Sequence, residues 1–280
     1  MEEAQPSRTA LRVALRRAAH QIVDRPLIFE DPLAVLILGP EYREELRRTP
    51  DKERRPFSAA LRAFLVARSR YAEEQLATAY AHGVRQYCLL GAGLDTFAYR
   101  NRYEGLQVFE VDHPSTQAWK HEMLTRAQIA IPFSVRHIPV DFETQSLPPQ
   151  LADAGFDFTQ PAFFAWLGVV PYLTLEAFRT TLSLIANMPE GSGVTFDYSL
   201  PRHALPVLEQ LAHDSLASRV AQAGEPFRLF FTPGEVRAEL AVFSYIEDLD
   251  TKAIAARFFT ERTDGLTLKG SAAHLLTAWR

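Results

Sequence analysis

The sequence predicts an α/β protein, a mainly parallel sheet of about seven strands behind a helical N-terminal segment. Two observations carry this. After Gly83, short apolar runs alternate with helical stretches, the pattern of a parallel sheet with crossover helices. Several of those runs also end in glycine or an acid, at the strand ends where an open α/β sheet holds its ligands.

Thr9 to Val23 carries Leu11, Leu15, Ala18, Ala19 and Ile22 at helical spacing, with arginines on the other face. "DRP" and "EDP" then signal turns. Residues 40–56 are dense in charge and bracketed by Pro40, Pro50 and Pro56, which predicts an exposed loop or a short helix. Phe57 to His82 predicts a long amphipathic helix with Gly83 in the C′ position. Five strands are expected at "QYCLLG" from 86, "LQVFEVD" from 106, "FSVRHIPVD" from 133, "PAFFAWLG" from 161 and "GVTFDYS" from 193. A helix at Leu175 to Asn187 separates the last two, ended by Pro189, Gly191 and Gly193. "VFSYIEDLD" and "AAHLLTAWR" complete the strands, with a helix around Ile254 to Thr260 between them. Residues 1–85 are thus expected to form a helical cap segment. Residues 86–280 would be the ligand-binding domain, with a helical insertion near 201–233, the whole one compact unit.

With 280 residues, 47% of them hydrophobic, the chain can bury a sizeable core. A formal charge of −4 gives no reason to expect nucleic acid or a membrane as partner. The single cysteine, Cys88, cannot form an internal disulfide, which favours a reducing cytoplasmic compartment. The apolar run Leu33 to Leu38 is too short to span a bilayer and follows acidic Glu30 and Asp31, so no signal peptide is expected. A monomer or a homodimer is expected.

The strand ends carry the chemistry. Gly91-Ala92-Gly93 closes the first strand, and glycine lets the backbone turn sharply and approach a ligand. Asp112 ends the second strand, nineteen positions beyond Gly93, where an acid can accept hydrogen bonds from ribose hydroxyls. Asp141 and Phe142 end the third, suited to an amino group and an adenine face. The fourth runs through Trp166 into Gly168 and "VPYLT". Each feature alone is weak, since such an Asp is commonly a turn residue or helix cap and Trp166 is most simply core. Together they describe a nucleoside pocket.

A nicotinamide cofactor needs GxGxxG and a helix N-terminus for its pyrophosphate. Here the sixth position is Thr96, and Asp95 would repel the pyrophosphate. No Lys-Ser/Thr pair follows, which disfavours a P-loop. S-adenosyl-L-methionine carries no phosphate. Acids suit its sulfonium and amino group, and an arginine suits its carboxylate.

"RAAHQIVDRPLIFEDPLA" from 17, "ARSRYAEEQL" from 67, "LLGAGLDTFAYR" from 89, "EVDHP", "VDF" and "WLGVVPYLT" resemble, in order, the motifs of the leucine carboxyl methyltransferase family, in its bacterial small-molecule branch. The resemblance covers most of the chain. It implies a Rossmann-like class I methyltransferase fold, seven-stranded with an antiparallel last strand. It also implies S-adenosyl-L-methionine as cofactor, S-adenosyl-L-homocysteine as product, and no metal. Carried onto matching positions, it places Gly91 and Gly93 by the amino-acid moiety, Asp112 by the ribose, and Asp141 and Phe142 by the adenine, with Ala92, His113 and Trp166 among the cofactor-binding residues. Arg68 would take the carboxylate, with Arg70 the second choice and Arg17 assisting. Two positions depart from the pattern: Phe97 stands where the family usually has Arg, and Leu167 where many members have Glu.

No metal or general base stands out, because the histidines lack ligand spacing and His113 and His137 read as turn or exposed residues. "GSG" at 191 lacks the flanks of a nucleophile elbow. Tyr172 is a candidate border of the acceptor site. Family analogy points to O-methylation of a carboxylate or hydroxyl on a small or peptide-borne acceptor. The competing expectations are a nicotinamide-dependent oxidoreductase and a cofactor-binding homologue that has lost turnover. Pro201 to Gly224, with leucines at 205, 208, 211 and 216, is expected to roof the acceptor or to form a surface or dimer face.

Overall fold

The computed structural model describes residues 7–49, 53–142, 145–222, 224 and 226–280. Pro50, one of the prolines bracketing the charged stretch, lies outside them. Helix α1 (Arg8–Val23) is capped by Ser7, whose hydroxyl accepts from the Ala10 amide at 3.1 Å. α2 (Leu33–Leu36) and α3 (Pro40–Arg48) follow. The charged stretch is therefore helical at its start, where Pro40 presets φ and Glu41 and Arg47 sit at the dipole ends that suit them. α4 (Pro56–Ala81) is the long helix, and Gly83 leaves it at φ +95°.

The strands are β1 (Gln86–Leu90), β2 (Gln107–Asp112), β3 (Val135–Pro139), β4 (Ala162–Trp166), β5 (Gly193–Ser199), β6 (Tyr245–Leu249) and β7 (Ala273–Trp279). They form one sheet in the order β3-β2-β1-β4-β5-β7-β6. The first five pair in parallel, and β7 runs antiparallel to both β5 and β6. The connecting helices are α5 (Pro114–Arg126), α6 (Leu147–Asp153), α7 (Leu175–Ala186), α8 (Val207–Gln222), α9 (Pro233–Glu239) and α10 (Thr251–Phe258). All seven expected strands are present.

β1 and β4 are buried at every residue, and this is why they read as unbroken apolar runs: helices cover both faces. On one face Phe164, Trp166 and Phe196 pack with Phe178 and Ile185 of α7. On the other, Tyr87, Leu89, Phe163 and Ala165 pack with Leu76 and Ala79 of α4. β1 reaches β2 through a single 3-10 turn, Phe97–Tyr99, so α4 supplies the cover that a crossover helix would otherwise give. A third cluster joins α1, α2 and α3 to Leu94 of the β1 loop and to Met123 and Leu124 of α5.

Of the two expectations for the insertion, the exposed leucines of its helix fit a surface face. Leu205 is buried, but Leu208 and Leu211 of α8 are 81% and 64% exposed, and Val220 is the buried residue of that helix. Leu208 and Leu211 therefore point away from the body of the protein, while Leu216 is half-buried. No helix among the described residues is long and apolar enough to cross a membrane.

Candidate functional site

The strand order reverses between β1 and β4, and a cavity of about 490 Å³ opens there at the carboxyl ends of the strands. That volume is within the range of small-molecule sites. Its floor is the β1 loop, and one wall is the N-terminal half of α1. The ends of β2 and β3 form a second wall, and 167–173 after β4 a third. Gly224, Pro226 and Arg228, in the chain after α8, complete it. The insertion thus reaches the cavity through this strap, which the Arg228 and Leu229 amides tie to Pro171 O at 2.7 and 3.2 Å.

Gly91, Ala92, Gly93, Asp112, His113, Asp141, Phe142, Arg68 and Tyr172 all line this cavity. Trp166 does not. Side chains alternate across a strand, so Ala165 and Leu167 face the cavity while Trp166 turns to the opposite face. There it is 1% exposed and stacks on Phe178 with ring centres 5.4 Å apart. Trp166 is a core residue.

The glycines have a local reason. Gly91 has φ +74°, and a Cβ on it would stand 2.3 Å from Val169 Cγ2. Its Cβ space is filled by protein, so the glycine lets the β4 loop close onto the β1 loop.

The Asp112 carboxylate accepts from the Gly93 amide at 2.5 Å and the His113 amide at 2.7 Å. A carboxylate has about four lone-pair positions, so Asp112 keeps acceptor capacity for hydroxyl donors in the cavity. Burial pushes its carboxyl above the ordinary range, with the two amides opposing that rise. His113 caps α5, its ring Nδ1 lying 2.8 Å from Ser115 Oγ. His137 is neither a turn nor an exposed residue. It lies within β3, half-buried, 2.9 Å from the Tyr99 hydroxyl and 3.4 Å from Glu110, which Lys120 also contacts at 2.7 Å.

Of the arginines, Arg68 faces the cavity and Arg70 does not. Arg70 bonds Glu74 and the Ile28 carbonyl. Arg68 is 6% exposed, and its Nη1 donates to Asp197 Oδ2 at 2.9 Å. Its Nε is buried without a partner among the described residues. Arg17 also lines the cavity; both of its terminal nitrogens are engaged by acids or Thr96, and its Nε, like that of Arg68, is buried without a partner among the described residues. Nη1 donates to Asp95 Oδ2 at 2.9 Å, and Nη2 donates to Thr96 Oγ1 at 3.0 Å and to Asp31. Burial alone would raise the Asp95 carboxyl, but Arg17 and Arg100 outweigh it and hold it below the usual range. Arg100 reaches Glu73 with both terminal nitrogens, so the β1 loop is braced by α1 and α4 together.

Phe97 is buried edge-on against Tyr87 at 5.0 Å, and the Arg100 guanidinium sits 5.9 Å from its ring centre. Leu167 lines the cavity as an apolar wall. Sequence reasoning missed Asp197, although an acid inside the apolar run "GVTFDYS" is a visible signal, since a buried charge needs a partner. It also missed Arg228, for which the sequence carries no signal.

Asp112 and Asp141 line the cavity from the ends of β2 and β3, on one side of β1, and Arg68 lines it from beside Gly168 and Asp197 of the β4 and β5 chains, on the other side. Asp112 with open acceptor capacity, and Arg68 with an unpartnered donor, fit a ligand that offers hydroxyls at one end and a carboxylate at the other.

Residues 10–186 match the leucine carboxyl methyltransferase family model. Bacillus subtilis YktD, provisionally named an S-adenosyl-L-methionine-dependent methyltransferase, is 33% identical over 293 residues, covering 95% of this chain and 96% of that protein. A Mycobacterium ulcerans protein with the same provisional name is 34% identical over 203 residues, covering 68% of this chain and 64% of its own. Among solved structures, a protein from Thermobifida fusca provisionally named a methyltransferase superposes with TM-score 0.59 at 16% identity, covering 100% of this chain and 96% of its own. A DUF574 family protein from Streptomyces avermitilis gives 0.55 at 19%, covering 94% and 100%. At those identities the two structures speak for the fold alone.

Proposed function

The chain belongs to the leucine carboxyl methyltransferase family, and from that membership we propose that it is an S-adenosyl-L-methionine-dependent methyltransferase acting on a carboxylate or hydroxyl oxygen of a small or peptide-borne acceptor. The observation that carries this is one cavity lined both by Asp112 at the end of β2 and by buried Arg68 beside β4 and β5. Bound there, the cofactor supplies a methyl group on a sulfonium, which an oxygen nucleophile takes in line.

The chain's own residues have defined parts. Asp112 accepts from the ribose hydroxyls, held in place by the Gly93 and His113 amides. Asp141 and Phe142 border the base. Arg68 takes the carboxylate of the amino-acid tail through a charge-assisted bond. Tyr172, whose ring lies 5.2 Å from that of Phe227, borders the acceptor with Leu173 and the strap. A carboxylate acceptor is ionised at neutral pH, so orientation and exclusion of water are what the site must supply. A hydroxyl acceptor would need a base. The ring Nδ1 of His113, which lines the cavity, is engaged in capping α5, and the preference for a carboxylate rests on family membership.

A nicotinamide cofactor is poorly served. The chain after Gly93 enters a 3-10 turn, so β1 is not followed by the crossover α-helix whose N-terminus receives the pyrophosphate in a dinucleotide fold. Asp95, ionised beside Arg17, occupies that loop.

The test is incubation with methyl-labelled cofactor and panels of carboxylic and phenolic acceptors. Label released as methanol by mild hydroxide identifies an ester, and base-stable label identifies an ether. Failure to bind S-adenosyl-L-homocysteine while binding NAD would overturn the proposal.

A further inference from the structure

Asp197 lies on β5, outside the cavity lining, and is 6% exposed. β4 and β5 pair in parallel with Trp166 opposite Phe196, so the next residues along, Leu167 and Asp197, stand side by side on the cavity face. Both Asp197 oxygens are used. Oδ1 accepts from the Gly168 amide at 2.6 Å, and Oδ2 accepts from Arg68 Nη1 at 2.9 Å. Gly168 has φ +69°, and a Cβ on it would stand 2.7 Å from Arg68 Nη1 and 3.0 Å from Nη2. The guanidinium therefore packs directly against a glycine and is pinned at one corner by Asp197. Its Nε is left buried and without a partner among the described residues.

We propose that Asp197 is a positioning residue that selects for the amino-acid tail of the donor, by fixing the Arg68 fork and the Gly168 turn in one arrangement. This rests on the methyltransferase function proposed above. Leaving a buried donor unpaired is costly, and a ligand carboxylate that meets the Arg68 fork removes that cost. A mobile arginine on the long helix would lose side-chain entropy on binding, whereas one already held by Asp197 loses little. The direct contact also explains why glycine is required at 168: any side chain there would displace the guanidinium. Asp197 acts on the ligand only through Arg68 and Gly168, so its effect must follow the tail and not the nucleoside.

The experiment is titration calorimetry of wild type, Asp197→Asn, Arg68→Gln and the double variant. The two probes are S-adenosyl-L-homocysteine and 5′-methylthioadenosine, which keeps the adenosine and sulfur but lacks the amino-acid tail. Asn can keep the Gly168 hydrogen bond while removing the charge that pins Arg68. Asp197→Asn is expected to weaken S-adenosyl-L-homocysteine roughly tenfold, the scale of a lost charge-assisted bond, and to change 5′-methylthioadenosine less than about twofold. The double variant is expected to bind no worse than Arg68→Gln alone. Unchanged binding of both probes overturns the assignment, as does equal weakening of both or full additivity in the double variant. Wild-type protein that binds neither probe overturns the proposed function itself. Retained binding of 5′-methylthioadenosine in each variant shows that the chain has folded.

Discussion

The Arg17 guanidinium lies 2.9 Å from the Asp95 carboxylate and ties the first helix to the loop that follows β1. Asp31, fully buried, is the second acid on the same guanidinium. Arg17→Met removes the shared cation and leaves two acids without it in the interior. Breaking a buried pair in this way costs about 3–5 kcal/mol. Urea denaturation at pH 7 is expected to show a loss of that size, and a change under 1 kcal/mol would rule out the brace.

The same pair sets a pH dependence. Burial raises the Asp95 carboxyl, but Arg17 and Arg100 more than offset this and hold it below its unfolded value. Its contribution to stability is therefore complete above the unfolded value of about 3.9 and lost as pH falls through the lower folded value. Asp24 behaves alike: His20 and Arg62 outweigh its burial. Stability is expected to fall as pH drops below about 4, towards the lower folded values, and less steeply in Arg17→Met. Urea midpoints across that window test it, and parallel curves for the two proteins would contradict it.

Gly91→Ala would place a Cβ 2.3 Å from Val169 Cγ2 at a positive φ. The expected loss is about 1–3 kcal/mol, with weaker S-adenosyl-L-homocysteine binding. Adding Val169→Ala removes the clash but not the φ strain, so the double variant should recover only part of the stability. Full recovery would show that φ at 91 carries no cost.

Asp112→Ala removes the acceptor at the end of β2. For wild type, S-adenosyl-L-homocysteine at a hundredfold excess over its dissociation constant should stabilise by about 2.7 kcal/mol. The variant is expected to lose most of that while keeping a native circular dichroism spectrum. A thermal shift equal to wild type would remove Asp112 from the site.

Trp166 packs in the core, stacked on Phe178. Trp166→Ala is expected to cost about 3–5 kcal/mol of stability. Trp166→Phe, which keeps the ring contact, should leave S-adenosyl-L-homocysteine affinity within twofold of wild type. A tenfold loss in the Phe variant would return Trp166 to the cavity.

Much of this was legible in the residues. β1 and β4 are covered on both faces and so announce themselves as apolar runs, and the acids that follow β2 and β3 stand at strand ends, where they line the cavity. Trp166 was misassigned because position along a strand does not tell which face a side chain takes until its register with the neighbours is known. The leucines of α8 left a roof and a surface face both open, because spacing alone does not say whether an apolar face finds a partner; Leu208 and Leu211 face outward.

Local pattern alone determined the alternation of strands and helices, the glycine turn after β1 and the acids at the strand tips, since these depend on neighbours within a few positions. Only the folded chain decided that Asp197 meets Arg68, that Arg17 is shared by Asp31 and Asp95, and that Arg228 reaches the cavity. Those partners lie from 14 to 129 positions apart along the chain. Their pairing is set by sheet register and helix packing, which no short stretch of sequence contains.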